Sequence, residues 1–232
     1  MNIKKIQIFL IALSIFFTTQ ALAQDAEKME AIEVKSTRLD FTKETTPASV
    51  TIITEEEIKK SGQFLIEKLI RTVPGLTVTQ NGGMGRLTNV NIRGAGNNST
   101  LVMIDGIQIN ENLQGSFNFN NLNVDNIERI EVLKGPQSTL WGADAVGGVI
   151  HIITKKGAGT PTHSVSFEGG SFSTFKETAR SSGTIKNYDY SISASRTDSE
   201  GITAAAKNLG NSERDDYEAS NFSFRLGRKF LS

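Results

Sequence analysis

The sequence predicts an α+β domain followed by the first strands of a transmembrane antiparallel β-barrel that the chain leaves incomplete. Three observations predict this fold class. The chain begins with an export signal, residues 44–156 mix helical and strand patterns, and residues 157–232 alternate apolar with polar side chains. We therefore expect an export signal at 1–23, a periplasmic connecting segment at 24–43, the α+β domain at 44–156 and barrel strands at 157–232.

Composition excludes several classes of function. Lys plus Arg and Asp plus Glu are balanced at 25 each, so no strong positive field exists to hold nucleic acid. The chain has no cysteine, which excludes disulfides, a thiol nucleophile and a lipid-anchored N-terminus. With two histidines and no clustered metal-ligand spacing, the sequence supports neither an enzyme nor a resident cofactor.

The first segment has the three parts of an export signal. Lys4 and Lys5 precede an apolar stretch at 6–17, and Ala21 and Ala23 place small residues where a signal peptidase reads. A membrane-spanning helix is the alternative, but polar residues follow before the run reaches the ~20 apolar residues that a bilayer crossing needs. We expect cleavage after Ala23 and a mature chain outside the cytoplasm.

Helix and strand signals in residues 44–156 predict the α+β domain. A β-branched run ends at Thr54, and Thr54 and Glu57 have the spacing of a capping box. One helix is expected from there to Gly62, and a second where apolar residues recur between Phe64 and Val73. Six strands are expected at 76–80, 89–93, 101–104, 107–110, 127–133 and 149–154, with loops at 81–85 and 111–121.

After Lys156 the pattern changes to alternation with a period of two. Residues 165–169, 188–194 and 222–226 place apolar side chains at every second position. Outer-membrane strands have this pattern, although a soluble β-sandwich would alternate similarly. Residues 157–232 suffice for roughly four strands of ~10 residues each with their loops. Four strands do not close a barrel, so the sequence is expected to be a fragment or a truncated product.

Four stretches resemble the plug-domain motifs of TonB-dependent receptors in content, order and spacing. They are 90–94, 99–106, 127–136 and 140–150, the last continuing into 152–154. The resemblance implies a receptor in the outer membrane of a Gram-negative bacterium, in contact with outer-membrane lipid, in which residues 44–156 plug the barrel. It also implies that TonB, with its inner-membrane energising complex, pulls on the plug to release a large nutrient. A secreted module that uses the plug fold for binding or signalling without transport is the alternative.

Residues 30–36 resemble the TonB box of such receptors. They are Glu30, Ala31, Ile32, Glu33, Val34, Lys35 and Ser36. Glu33 and Ser36 differ from the apolar residue and the alanine usual at those positions. Strand addition relies on main-chain hydrogen bonds, so the box is expected to be extended and accessible. A disordered linker is the alternative interpretation.

Within the family, residues 73–85 and the short plug loops are most similar to cobalamin receptors. Cobalamin is therefore the expected cargo, and an iron–siderophore or haem is the alternative. The candidate contacts are Asn81, Gly82, Gly83, Met84 and Arg86 in a first loop and Asn112, Gln114 and Ser116 in a second. Glycine permits close approach of backbone to a ligand, and amide and guanidinium groups supply donors. Arg86 would favour an anionic chelate, while a solvated loop position is the alternative for each residue.

Two acidic residues are the only calcium candidates. Asp215 and Asp216 follow the third predicted barrel strand, where cobalamin receptors carry calcium-binding carboxylates. Calcium prefers several oxygen ligands, and two adjacent aspartates do not make a site by themselves. No metal is therefore expected, and a solvated loop is the preferred interpretation.

The remaining charged residues of the plug motifs are expected to be structural. Arg93, Glu128, Glu131 and Lys134 should hold plug strands together or against the barrel wall, because buried charges need partners. His151 replaces the asparagine usual in the family, which we interpret as a structural variation.

Overall fold

The computed structural model of the protein describes residues 33–34, 41–42, 49–111, 114–203, 210 and 214–228. The export signal expected at 1–23 and five of the seven candidate TonB-box residues, Glu30, Ala31, Ile32, Lys35 and Ser36, lie outside these ranges. No helix of the described ranges is both long and apolar enough to cross a membrane.

The elements fall into two groups along the chain. The first group has strands β1 (Glu33–Val34), β2 (Phe41–Thr42), β3 (Ser49–Thr54), β4 (Leu76–Gln80), β5 (Thr88–Ile92), β6 (Thr100–Ile104), β7 (Ile107–Gln108), β8 (Ile127–Lys134) and β9 (Gly148–Thr154). Its helices are α1 (Glu55–Ser61), α2 (Ile66–Ile70) and α3 (Ser138–Trp141). The second group is an antiparallel sheet, called here the wall sheet, of β10 (Thr162–Gly170), β11 (Thr174–Ile185), β12 (Tyr188–Ser199) and β13 (Tyr217–Arg228).

The α+β domain is organised around a five-stranded sheet of order β3-β8-β9-β6-β7. β6 and β9 are nearly continuous apolar runs, as in sheets covered on both faces, whereas β8 mixes apolar residues with four charged ones. Leu101, Ile130 and Ile150 are fully buried, and α2 adds Ile66 and Ile70 to the same core. β6 and β9 pair in parallel, a connection that the local patterns did not predict. The core therefore lies between this sheet and the two longer helices.

Local signals place the start of α1 where the sequence predicts it. The Thr54 side chain accepts a hydrogen bond from the Glu57 backbone N–H at 3.3 Å, and the Thr54 N–H donates to Glu57 Oε2 at 2.8 Å. These two bonds form the capping box, which satisfies amides that have no partner within the helix. Gly62 ends α1 in the left-handed region, with φ of 63°. The predicted first helix is confirmed at both ends.

Two predicted elements are shorter in the structure. The second helix spans only Ile66–Ile70, because Leu65 is extended and forms a β-bridge with Asn123. The strand expected at 107–110 ends at Gln108. Beyond it the Asn110 side chain accepts from the Val102 N–H at 2.7 Å and donates to the Thr100 carbonyl at 2.9 Å. A side-chain amide here takes the place of strand pairing.

The wall sheet has one apolar face and one polar face. The apolar face exposes Val165, Phe167, Phe175, Phe222, Phe224 and Leu226. The polar face buries Lys176, Thr178, Ser191, Ser193, Ser195, Thr197 and Ser199 against the α+β domain. Residues alternate between the faces of a strand, so this sorting follows directly from the period-two pattern. The expected α+β domain followed by barrel-type antiparallel strands is confirmed, and β11 is added to the three strands whose alternation was visible.

The segment between β9 and β10 crosses the wall sheet at very close range. A Cβ at Gly157 would lie 2.2 Å from the Tyr190 carbonyl oxygen and 2.3 Å from that of Gly183. The Thr184 N–H also donates to the Gly159 carbonyl at 2.8 Å. Only glycine fits at 157 without moving the backbone of the wall, so the chain leaves the domain along a fixed path.

Candidate functional site

The first candidate loop is the tip of the β4–β5 hairpin, residues 81–87. The Asn81 N–H donates to the Leu87 carbonyl at 3.0 Å and closes the loop. From below, Gln80 Nε2 donates to the Gly83 carbonyl at 2.8 Å. Glycine at 82 and 85 has φ of 113° and 74°, in the left-handed region. The loop is therefore held in one shape by its own chain.

The wall sheet holds the same loop from the side. Arg86 Nη2 donates to Asp215 Oδ1 at 2.7 Å. A Cβ at Gly85 would lie 2.8 Å from the Tyr217 ring, which leaves room for glycine alone. Ile202 lies beside Gly83, which is buried. This arrangement puts the backbone of the loop in contact with the start of β13.

The two candidate loops meet through residues that the sequence did not single out. Asn118 Oδ1 accepts from the Thr88 N–H at 3.0 Å, and Asn120 Nδ2 donates to the Gly85 carbonyl at 3.0 Å. The run of amides at 118–121 was a visible signal for this contact, because several side-chain amides in one loop supply many donors and acceptors.

The predicted residues of the second loop have other neighbours. Gly115, between Gln114 and Ser116, lies beside Asn98 and Asp144. Asn112 falls outside the described residues. The structure therefore brings the first-loop candidates together with Asn118, Asn120, Asp215 and Tyr217, whereas Gln114 and Ser116 are positioned by a different part of the domain. Of the first-loop candidates, Asn81, Gly82 and Arg86 are exposed and Met84 is half-buried.

Electrostatics at this surface are governed by the Arg86–Asp215 ion pair. The Arg86 side chain is 56% exposed and that of Asp215 is 26% exposed. The pair leaves little net charge on the loop, so Arg86 offers an anion less than an isolated guanidinium would. Asp216 is exposed, and no three metal-ligating side chains cluster anywhere in the described ranges. Asp215 is thus engaged by a cation of the protein itself.

A second contact between the α+β domain and the wall sheet is fully buried. Lys176 Nζ of β11 donates to Asp125 Oδ1 at 2.6 Å, and their side chains are 2% and 5% exposed. Arg180 Nη2 lies 3.5 Å from the same oxygen. On either side, Asn123 Nδ2 donates to Ser195 Oγ at 3.2 Å and Ser191 Oγ donates to Asn126 Oδ1 at 3.1 Å. Residues 122–126 therefore lie along the polar face of the wall sheet.

A third contact joins the β6–β7 turn to β13. Arg225 Nη1 donates to Asp105 Oδ2 at 2.8 Å and to Thr154 Oγ1 at 3.0 Å. The Arg225 and Asp105 side chains are each more than a quarter exposed. The turn itself is held by the Gly106 N–H, which donates to His151 Nε2 at 2.9 Å. His151 therefore makes a structural contact, which agrees with its interpretation as a structural variation.

The charged residues of the plug motifs were expected to form pairs, and within the described ranges two of the four form ion pairs. Glu131 is fully buried and accepts from Arg129 Nε at 3.0 Å, and Glu128 also pairs with Arg129. Lys134 instead donates to Thr51 Oγ1 at 2.9 Å and to the Pro74 carbonyl at 3.3 Å. Neutral oxygens also satisfy an ammonium group, so a lysine at a strand end does not need a carboxylate. Arg93 lies beside Gly75 and Gly135.

One buried carboxyl group of the described residues lacks a hydrogen-bond donor. Glu67 of α2 is fully buried, and in the described part of the chain neither carboxyl oxygen accepts a hydrogen bond from another residue. The nearest cation, Lys68 Nζ, is 3.8 Å from Oε1. Burial raises the pKa of the Glu67 carboxyl, and the positive charges of Lys68 and Arg71 offset only part of that rise.

The candidate TonB box is described at two positions only. Glu33 and Val34 form β1, which pairs antiparallel with β2, and Val34 is fully buried. Both described residues of the box lie in extended backbone. It is not freely accessible at Val34, so an added strand has to displace β2 or use the opposite edge of β1.

Comparison with known proteins identifies the α+β domain. Residues 42–149 match the model of the TonB-dependent Receptor Plug Domain. Residues 42–149 are therefore assigned to the plug domain of TonB-dependent receptors. The vitamin B12 transporter BtuB of Vibrio vulnificus is 36% identical over 149 residues, covering 64% of this chain and 24% of BtuB. The BtuB of Vibrio cholerae serotype O1 is 35% identical over 133 residues, covering 57% and 22%.

Solved TonB-dependent receptors have the same fold. The siderophore receptor PirA of Acinetobacter baumannii superposes with a TM-score of 0.63 at 28% identity, covering 78% of this chain and 29% of PirA. The pyoverdine outer-membrane receptor FpvA of Pseudomonas aeruginosa PAO1 gives a TM-score of 0.70 at 25% identity, covering 84% and 27%. The chain spans about a quarter of the length of these relatives. These relatives are a transporter and two receptors, and FpvA is an outer-membrane receptor.

Proposed function

We propose that the chain is the plug-bearing part of an outer-membrane receptor that takes up a large nutrient with energy delivered by TonB. The observation that carries this proposal is that a plug domain lies on the polar face of a sheet whose other face is apolar. The apolar face suits contact with outer-membrane lipid. A barrel wide enough for a large nutrient needs a stopper, and moving the stopper requires work.

Coupling to TonB is proposed to use residues 30–36. The support is their extended backbone at β1 and their position before the plug. In the full-length receptor, Val34→Pro removes a main-chain donor and should abolish uptake while sparing cargo binding. Val34→Ala keeps the donor and serves as the matched control. Equal uptake by the two variants would refute the assigned box.

Cobalamin is the proposed cargo. Two vitamin B12 transporters are similar across the plug, and the pairing of Arg86 with Asp215 lessens the attraction of the first loop for an anionic chelate. An iron–siderophore is the second candidate, because siderophore receptors share the fold. Haem stays the third candidate. Calorimetric titration of the purified full-length receptor with cobalamin, a ferric siderophore and haem should give heat with cobalamin alone. Binding of an iron chelate without cobalamin would reverse the assignment.

The proposed contact surface is the first loop with its neighbours. Asn81, Gly82, Met84 and Arg86 are proposed to meet the cargo, with Gly83 shaping the loop from beneath. Asn112, Gln114 and Ser116 are proposed as peripheral contacts. Asn81→Ala should raise the Kd for cobalamin, and Gln114→Ala should change it less. The opposite order would move the site to the second loop.

No metal is part of the proposal. Asp215 is engaged by Arg86, and two neighbouring aspartates offer too few oxygens for calcium. Chelation with EDTA should therefore leave the Kd for cobalamin unchanged. A Kd that rises with EDTA and recovers with added calcium would restore Asp215 and Asp216 as a calcium site.

A further inference from the structure

The plug and the wall sheet are joined by ion pairs that differ in exposure. The pairs are Arg86–Asp215, Asp105–Arg225 and Asp125–Lys176. In the first two, every side chain is more than a quarter exposed, whereas in the third neither side chain exceeds 5%. Water can replace the partner of an exposed charge as it separates, but a charge in an enclosed site must first be rehydrated. The three pairs should therefore open with very different ease.

The buried pair is a wall lysine received by the plug. The ammonium group of Lys176 lies over the Phe64 ring, 5.5 Å from its centre, and donates to Asp125. We call Phe64, Asp125 and the Lys176 that they enclose the lysine socket. Both sides of the socket belong to one paired unit, because the Val124 N–H donates to the Phe64 carbonyl at 3.1 Å. Separation of Lys176 from the plug therefore requires more than the movement of one plug side chain.

Neighbouring contacts fix the socket to two wall strands. Asn123 bonds Ser195 of β12 on one side, and Asn126 bonds Ser191 of β12 on the other. The Asn126 carbonyl also accepts from the Lys155 N–H at 2.9 Å, which ties the strip to the end of β9. Movement of residues 122–126 away from the wall therefore breaks the contacts with Lys176, Ser191 and Ser195 together.

We propose that the lysine socket is the fixed attachment of the plug to the wall, and that it stays closed when the Arg86–Asp215 and Asp105–Arg225 pairs open. The plug then moves about residues 122–126 and is not withdrawn as one body. The two ends of the plug, where the first loop and the β6–β7 turn contact β13 or its start, can then shift. Residues 122–126 keep their place.

Cross-linking in the full-length receptor tests the proposal. Residues 1–232 contain no cysteine, so, with any cysteine in the rest of the receptor replaced by serine, paired substitutions can be linked by a short, reducible bifunctional thiosulfonate reagent. Asn123→Cys with Ser195→Cys pins the strip beside the socket. Asp105→Cys with Arg225→Cys pins a contact expected to open. Linking the first pair should leave uptake within about twofold of the reduced form, whereas linking the second should stop uptake until the link is reduced. Reversible loss of uptake from the first link, or full uptake with the second, would overturn the proposal.

A measurement that does not need uptake separates this inference from the proposed function, on which the cross-linking readout rests. In hydrogen exchange of the purified full-length receptor, amides at 122–127 should exchange at least about tenfold more slowly than those at 83–87 and 105–108. Asp125→Asn should raise exchange at 122–127 and leave 83–87 unchanged. Equal protection of the three segments would refute the socket as the fixed point, even if transport were shown.

Discussion

Asp125 and Glu67 are both buried carboxyl groups of the plug, and their surroundings are opposite. Asp125 accepts a 2.6 Å hydrogen bond from Lys176 and has Arg180 at 3.5 Å. Glu67 accepts no hydrogen bond from another described residue, and its nearest cation is 3.8 Å away. A buried charge is tolerated when it is paired and hydrogen-bonded, and is costly otherwise. Equal burial therefore has opposite consequences at the two sites.

The two carboxyl groups mark where the plug is held by the wall sheet and where its packing is unfavourable. Asp125 is stabilised by Lys176 of the wall sheet, so the stability of this region depends on the plug staying in place. The region of Glu67, in α2, contributes an unfavourable term that any movement bringing water to the carboxyl group would relieve. α2 is followed along the chain by Gly75, β4 and the first loop. The Glu67 carboxyl group therefore lies in the helix that precedes the candidate cargo surface in sequence.

Removing one partner of the socket should have the largest effect. Asp125→Ala leaves the Lys176 charge buried without its carboxylate, which should lower the free energy of plug unfolding by about 3–5 kcal/mol. The measurement is urea unfolding of the full-length receptor. Asp125→Leu combined with Lys176→Met removes both charges and is the control. It should recover most of the loss, and a double variant as unstable as Asp125→Ala would show that packing and not charge is decisive.

Replacing the buried carboxyl group that has no hydrogen-bond donor should act in the opposite direction. Glu67→Gln removes a buried charge while keeping the shape, and should stabilise the plug at pH 7 by about 1–3 kcal/mol. Glu111→Gln, at an exposed loop position, is the control for the loss of one negative charge. A destabilised Glu67→Gln variant would show that the carboxylate is needed in its charged form.

The pH dependence of that effect has a definite sign. Burial raises the pKa of Glu67 in the folded protein above its ordinary value of 4.5, so the folded state holds the proton more tightly than the unfolded state does. Between the two pKa values stability must therefore fall as pH rises. The advantage of Glu67→Gln should be present at neutral pH and disappear below about pH 4.5. An advantage that is the same at pH 4 and pH 7 would contradict this origin.

The cap of α1 gives an intermediate reference point, because its hydrogen bonds join Thr54 to the exposed residue Glu57. Thr54→Ala removes the cap at the start of α1, where no burial amplifies the change, and should cost about 1 kcal/mol. Thr54→Ser retains the acceptor and should cost less. Urea unfolding of both variants then calibrates the two buried carboxyl groups against an ordinary local contact, and a loss above about 2 kcal/mol would show that Thr54 does more than cap.

How far the sequence predicts these sites depends on the distance over which each signal acts. The capping box, the Asp105–Gly106 turn and the apolar alternation of β12 and β13 are local, and the structure has all three. β11 was not visible, because its outward positions mix Phe175 with Glu177 and Ala179. A strand that is polar on its inner face and mixed on its outer face has no period to detect.

The candidate site follows the same rule. The first loop was predicted from its glycines and amides, which are contiguous in sequence. The socket was not, because Asp125 and Lys176 are 51 residues apart and neither residue stands out within its own segment. Glu67 occupies a polar position in a short helix, and only the fold shows that this position faces inward. The sequence therefore does not predict which distant charges form ion pairs.

Breaking the exposed pair should have the smallest effect and completes the comparison. Arg86→Gln removes a contact whose partners are already hydrated, so the free energy of plug unfolding should change by no more than about 1 kcal/mol. The change should shrink further as salt is raised from about 0.05 to about 0.5 M, because salt screens the attraction between exposed charges. The loss from Asp125→Ala should persist across the same range, because buried pairs are screened far less. If Arg86→Gln costs as much as Asp125→Ala, or if both losses fade equally with salt, then burial does not distinguish the two contacts and the plug is held as firmly at its first loop as at its centre.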